Sequence, residues 1–282
     1  MGVRNNEESR MSSAQLVSFI GGGNMARSLV AGLIDAGTPA HHIEVVEPQA
    51  ALRDALQQQY GVKVAADVAA ASLCSDSWVL AVKPQVMAMV CTDLAKRMDR
   101  PQLVISIAAG ITCATLQGWL GSDAQLVRAM PNTPALLGAG MSGLYADNRV
   151  DQLQRAQAER ILGAAGKVRW VHDEGLMDVV TAVSGSGPAY IFAVAEAMQA
   201  AAISNGLDSD SAHQLVVQTI IGAGRMLAES GQSPGQLRQA VTSPNGTTQA
   251  ALEVFSTGGL DALFAAAIAA ATERGRQLAK SG

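Results

Sequence analysis

The sequence predicts an α/β chain in two parts: a parallel sheet covered by helices, then an all-helical half. Three observations carry this. From Leu16 onward, short β-branched runs alternate with stretches whose apolar residues recur at three and four. A glycine turn joins the first run to the first such stretch, and the strand pattern stops near His172. Strand and helix in alternation make a parallel sheet covered on both faces. A chain of 282 residues has room for two domains. We place them at 15–172 and 173–282, after a polar, flexible leader at 1–14.

Strands are expected at "LVSFI", "IEVVE", "VKVA", "SWVLAV", "QLVISIA" and "AQLVRAM", with "NMARSLVAGLIDAG" and "PQVMAMVCTDLAKRM" as intervening helices. "MSGLYA" and "KVRWV", joined by the helical "VDQLQRAQAERILGAAG", extend the same sheet. In the second half, "PAYIFAVAEAMQAAAISNGL" has Pro188 suited to a first helical turn and Gly206 to its stop, and Asp208 and Ser233 cap the next two starts. "TAVSGSGPAY" reads as a break between helices, with a serine as cap and Gly185 and Gly187 allowing close packing. Ala and Gly lie on more than one side of these helices, as in "IIGAGRMLAES". That leaves little polar face, which favours a helical interface with a second copy over a compact monomer.

Composition narrows the function classes. Nearly half the residues (49%) are hydrophobic, 16% are charged, the net charge is −4, and Lys and Arg are scattered. This excludes a basic nucleic-acid footprint and points to a small-molecule partner. Cys74, Cys91 and Cys113 show no C-x-x-C spacing, and the four histidines form no ligand pattern with them. A reduced, metal-free cytoplasmic protein is expected. The longest apolar run, "LFAAAIAAA", falls short of the roughly 18 residues of a membrane span, and the N-terminus lacks the apolar core of a secretory signal.

Gly21, Gly23 and Ala26 stand as G-x-G-x-x-A between the first strand and first helix. This is the dinucleotide fingerprint in its expected context. The first glycine allows the tight turn, the second admits a pyrophosphate, and Ala26 lets helix approach strand, with the helix N-terminus facing phosphate. Candidate cofactor contacts are therefore Ile20, Gly21, Gly22, Gly23, Asn24, Met25 and Ala26. Ala81, Val82, Lys83 and Pro84 of "AVKPQ" and Ile107, Ala108 and Ala109 of "SIAAG" end the fourth and fifth strands, where open α/β sheets bind ligands. Lys83 reads equally well as an exposed lysine ahead of a helix-opening proline. Glu47 ends the second strand near the offset of about 20 at which an acid binds the adenosine ribose. It favours NADH over NADPH, the nearest cation along the chain, Arg53, lying a helical turn or more beyond; a solvated strand end is the alternative. Arg128, opening "RAMPNTP", is either a ligand cation or a surface residue.

"VTSPNGTTQA" interrupts the helical half. Pro244 holds Ser243 extended, Asn245 and Gly246 permit a turn, and a helical pattern starts around Thr247. A helix start leaves about four amides unpaired and carries partial positive charge. With hydroxyls from Ser243, Thr247 and Thr248 around it, it reads either as a carboxylate site or as an ordinary capped turn.

"FIGGGNMA", "AVKPQ", "SIAAG", "RAMPNTP", "DVVTAVSGSGPAY" and "VTSPNGTTQAAL", in this order, resemble the pyrroline-5-carboxylate reductases from about Leu16 to the last helix. The resemblance implies a Rossmann-type domain, a helical dimerisation domain that interlocks two subunits, and often a pentamer of such dimers. It implies reduction of the cyclic imine pyrroline-5-carboxylate to proline by NADPH or NADH, at a site shared between nucleotide-binding residues and the partner's substrate loop. By similarity, amides at Gly246 and Thr247 hold the substrate carboxylate and Thr248 reaches the ring nitrogen. Ser243 joins Thr248 as a candidate catalytic residue, Val241 helps to shape the pocket, and Glu174 matches an acid near substrate and nicotinamide. Two positions depart from the family: Asn245 replaces a glycine, and Glu47 stands where members often carry an Asn-Arg-Ser type sequence suited to NADPH. The β-hydroxyacid dehydrogenases share the architecture but place a lysine in the helical half, and none occurs here between Asp173 and Gly275.

Overall fold

The computed structural model describes residues 15–72, 75–98 and 100–281. The leader at 1–14 and Cys74 lie outside the described residues. The chain forms two compact units. One runs to Ser186 and resumes at Ala271; the other is Gly187–Ala270.

In the first unit the described residues build an eight-stranded sheet of β1 (Val17–Ile20), β2 (Ile43–Val46), β3 (Lys63–Ala65), β4 (Ser77–Leu80), β5 (Leu103–Ser106), β6 (Gln125–Met130), β7 (Gly140–Ala146) and β8 (Gly166–Trp170). Their order is β3-β2-β1-β4-β5-β6-β7-β8, and β1 to β6 pair parallel. Helices α1 (Asn24–Asp35), α2 (Ala50–Tyr60), α3 (Pro84–Ala95), α4 (Cys113–Leu120) and α5 (Gln152–Gly163) connect them. Phe19, Val45, Val79 and Ile105 fill the core on one face of the sheet; Ile20, Val46, Trp78, Leu80 and Val104 fill the other. Burial on both faces is why these strands read as continuous apolar runs instead of alternating ones. The order reverses between β1 and β4, and that reversal opens the crevice where doubly wound sheets take ligands.

The expectation of a wholly parallel sheet needs correction at β7, which pairs antiparallel to β6, with Arg128 opposite Tyr145. The connection holds only the short 3-10 turn Thr133–Leu137. A parallel return needs a crossover of a dozen or more residues, so this chain can only double back. β8 then pairs parallel to β7 through α5, whose N-cap Asp151 forms a capping box with Gln154.

The expected break at "TAVSGSGPAY" is also corrected. Helix α6 (Met177–Val180) passes through a π-helical turn, Thr181–Gly185, into α7 (Gly187–Ser204). The Ser186 amide donates to Thr181 O at 2.8 Å, and the Ser184 hydroxyl, instead of capping, donates to Val180 O at 3.0 Å. Close packing holds at Gly185, where a Cβ would stand 2.7 Å from the Met130 side chain, but around Gly187 the space is open. Joined this way, Glu174–Ser204 is long and apolar enough to cross a membrane by length and composition, which the contiguous-run reading missed.

The second unit holds α7, α8 (Ser209–Glu229), α9 (Pro234–Ala240), α10 (Thr247–Thr257) and the first half of α11 (Leu260–Ser281). Asp208 and Ser233 cap α8 and α9 as expected, and Gly206 ends α7 with φ 101°. Among its described residues only Ala212 and Val216 are buried, while Phe192, Val254 and Leu263 are about two-thirds exposed. Such an apolar surface marks an interface. The compact boundary at Ser186/Gly187 falls later than the end of the strand pattern near His172, because β8 is followed by α6 and the π turn packing back on the sheet unit.

Two measurements check this packing. A Cβ at Gly32 in α1 would overlap the carbonyl of Ala164, which caps the end of α5. Backbone cannot step aside, so Gly32→Ala loses about 1–3 kcal/mol to overpacking, more than the ~1 kcal/mol of helix propensity it gains; its melting temperature falls below that of the parent. Burial pushes the thiols of Cys91 and Cys113 up to about 12. At pH 8 about one in ten thousand is then thiolate, the reactive form. Iodoacetamide therefore labels peptides carrying either cysteine only after denaturation, as read by mass spectrometry.

Candidate active site

The glycine turn after β1 is fixed by geometry that only glycine meets. Gly21 has φ 102°, its amide donates to Val46 O at 2.8 Å, and a Cβ would lie 2.6 Å from Ala81 O. Gly23, the N-cap of α1, differs: nothing lies within 4 Å of a built Cβ, and no side chain caps the helix. Open space over uncapped first-turn amides is what a pyrophosphate requires, so the residues present fit a dinucleotide. Ala26 is buried against the sheet, as the fingerprint demands.

The neighbouring strand ends line up with this turn. Ala81 N donates to Ile20 O at 2.8 Å, and Ile107 N to Leu80 O at 3.2 Å. The loops Ala81–Lys83 and Ile107–Gly110 thus follow one another along the carboxyl edge of the sheet. Lys83 is an exposed N-cap of α3 without an ion partner among the described residues, and Pro84 opens the helix. Gly110 has φ 75°, and a Cβ there would meet Leu278 near the end of α11 at 3.2 Å, so the chain's last helix backs this loop.

Glu47 is buried, with both carboxylate oxygens engaged: Oε2 accepts the Gly22 amide and Oε1 the Gln49 amide, each at 2.9 Å. It thereby braces the glycine turn. Arg53 is not remote, as its place in the sequence suggests. Side chains on a helix point toward its N-terminus, and from the second turn of α2 the guanidinium reaches back to donate through Nη1 to Glu47 O and Pro48 O, both at 2.8 Å.

Arg128 is neither a surface residue nor an open cation. It is buried on β6, and its Nη1 stands 2.8 Å from Glu174 Oε1, which also accepts the Cys113 amide at 2.7 Å. Glu174 therefore ties β6 to the start of α4 through Oε1. Asn132 makes a second tie: its Nδ2 donates to Ser184 O at 3.0 Å in the π turn, and its Oδ1 accepts the Met141 amide at 2.8 Å.

In the helical unit, the polar interruption is a loop feeding α10, as its composition predicts. Asn245 adopts φ 57°, the one non-glycine residue at positive φ among the described residues, so asparagine holds the left-handed position. Its amide donates to Gln249 Oε1 at 2.8 Å, and the Gly246 amide to Ser243 O at 3.1 Å. Gly246 is the N-cap and supplies no side chain; the Ser243 hydroxyl occupies the place its Cβ would take. Among the described residues no acceptor serves the Thr247 and Thr248 amides. Val241 is exposed beside this loop, at the end of α9. Nucleotide turn and hydroxyl loop therefore lie in different compact units. The sequence set Arg53 a helical turn or more beyond the strand end and gave no role to Asn132 or the Cys113 amide, because each acts through a folded-back side chain or a long-range partner.

Two family models match separate parts of the chain. Residues 174–278 match the pyrroline-5-carboxylate reductase dimerisation family, and residues 16–110 match the coenzyme F420-dependent NADP oxidoreductase family. The chain is 46% identical over 268 residues to a pyrroline-5-carboxylate reductase of Pseudomonas aeruginosa, covering 95% of this chain and 98% of the relative. The structure of a pyrroline-5-carboxylate reductase from Coxiella burnetii superposes with a TM-score of 0.92 at 44% identity, covering 94% of this chain and 99% of that one. A Plasmodium falciparum pyrroline carboxylate reductase with NADP bound gives 0.82 at 27% identity, over 94% and 98%. This chain belongs to the pyrroline-5-carboxylate reductase family.

Proposed function

We propose that this chain reduces Δ1-pyrroline-5-carboxylate to L-proline, the last step of proline biosynthesis, using NADPH or NADH. The observation that carries the reading is the start of α10. A glycine N-cap leaves the Thr247 and Thr248 amides without acceptors among the described residues, at a turn whose residues Ser243, Thr247 and Thr248 each carry a hydroxyl. Such an end attracts an anion by about 0.3–1 kcal/mol, and up to about 2 when partly buried, before its hydrogen bonds are added. The Gly246 amide already closes the turn onto Ser243 O, so the Thr247 and Thr248 amides are the carboxylate's donors. Gly246 supplies the bare backbone that lets the substrate approach, and Val241 an apolar wall.

A bound reduced nicotinamide supplies a hydride to the imine carbon, and the ring nitrogen gains a proton to end as a secondary amine. The protein's part is mainly positioning. Thr248, at the second position of α10, hydrogen-bonds the ring nitrogen and relays to it a proton drawn from water. Ser243 completes the hydroxyl set. A threonine hydroxyl is a weak acid, so its share is orientation more than proton supply. Glu174, held by Arg128 and the Cys113 amide, offers Oε2 toward the reacting ring. Gly21, Gly22 and Gly23, with the loops Ala81–Pro84 and Ile107–Ala109, hold the dinucleotide.

The nucleotide edge of one subunit works with the Ser243–Thr248 loop of its dimer partner. Two helical units interlock, burying Phe192, Val254 and Leu263, which one copy leaves exposed, and five such dimers assemble into a decamer. The enzyme acts in the cytoplasm.

Oxidation of NADPH or NADH by synthetic pyrroline-5-carboxylate tests the reading; no turnover with either would refute it. Thr248→Ala slows turnover roughly tenfold to a hundredfold, the worth of one hydrogen bond to a charged group, without abolishing it. An unchanged kcat with unchanged KM removes Thr248 from the reaction. Asn245→Gly stays within about twofold of the parent, whereas Asn245→Val, forced to positive φ at a cost of about 1–3 kcal/mol, raises KM for the imine.

A further inference from the structure

We propose that Arg53 recognises the 2′-phosphate of NADPH, so that the enzyme prefers NADPH although an acid closes its second strand. This rests on the nucleotide-binding part of the reading above.

The acid is turned away from the role its position suggests. Glu47 is 6% exposed, and both its oxygens accept backbone amides, from Gly22 and Gln49. A Cβ built on Gly22 would lie 3.3 Å from Glu47 Cβ and Cγ, so the side chain is folded beneath the glycine turn. Its charge is spent on fixing that turn.

The cation has the opposite arrangement. Arg53 is half-buried, and its Nη1 is pinned by the carbonyls of Glu47 and Pro48, the two residues that follow β2. Nε and Nη2 have no partner among the described residues. A guanidinium anchored on one side at the strand end that carries the adenosine ribose has lost most of its rotamer freedom before a ligand arrives. It then presents its remaining donors in the planar fork that suits a phosphate. A 2′-phosphate at that strand end meets this fork. A 2′-hydroxyl gains little from it.

Calorimetric titration with 2′,5′-ADP and with ADP tests the assignment without nicotinamide or imine, so its outcome is independent of whether pyrroline-5-carboxylate is turned over. The parent protein is expected to bind 2′,5′-ADP at least about tenfold more tightly than ADP, a preference that weakens as salt rises. Arg53→Ala reduces the ratio to near one and leaves ADP affinity within about threefold. Arg53→Lys, which keeps a charge but loses the fork, gives an intermediate ratio; should the alanine variant melt early, the lysine variant decides. The proposal is overturned if the parent binds ADP as tightly as 2′,5′-ADP, or if a folded Arg53 variant keeps the parent's ratio.

Discussion

An α-helix begins with amides that have no partner inside it; four helices here cap them with a side chain, and two begin on a bare glycine. Thr112, Asp151, Asp208 and Ser233 cap their own helices, each side chain accepting a backbone amide within the next turn. Gly23 and Gly246 cannot, because glycine has nothing to offer. Each of these two helices follows a turn that needs a positive φ, Gly21 at φ 102° before one and Asn245 at φ 57° before the other. The uncapped amides thus follow a conformation that few residues adopt. In both places the sequence spends glycine or asparagine on that conformation.

Much of this was legible because it is local. Eight strands, the fingerprint turn, the caps Asp208 and Ser233 and the stop at Gly206 are set by residues within a few positions of one another, where pattern and capping chemistry speak directly. What escaped depends on distance in the chain or on a count of residues in space. β7 runs antiparallel because the connection from β6 is short, which composition does not advertise. Arg128 looked like a surface arginine because its partner lies at Glu174, across two strands and a helix. The π turn after α6 looked like a break because glycine and serine do break helices; here Gly185 stays helical so that Met130 can pack on it.

The helical unit presents a different constraint. With only Ala212 and Val216 buried among its described residues, it lacks the interior that would pay for ordering its own backbone. Its match to a dimerisation family supplies the reason: this unit serves homo-oligomerisation, and its exposed apolar residues suit an interface. Stability and protomer concentration are then inseparable for this half of the chain. The membrane-like length and hydropathy of Glu174–Ser204 suit the same role, since a helix in an oligomer interface has as little use for polar residues as one in lipid.

Charge alone is a poor guide to what a strand end recognises. Glu47 and Arg53 are six residues apart, and sequence order places the acid at the ligand and the cation behind it. Hydrogen bonding reverses their parts. The carboxylate finds two amides beneath the turn, and burying it there is tolerable only because both oxygens are satisfied. The guanidinium finds two carbonyls at the strand end and is held there. An acid whose lone pairs already serve backbone donors is part of the scaffold, whatever its formal charge. A cation anchored by one nitrogen still has donors to give, and the side chain with unspent hydrogen-bonding capacity is the one that can distinguish ligands.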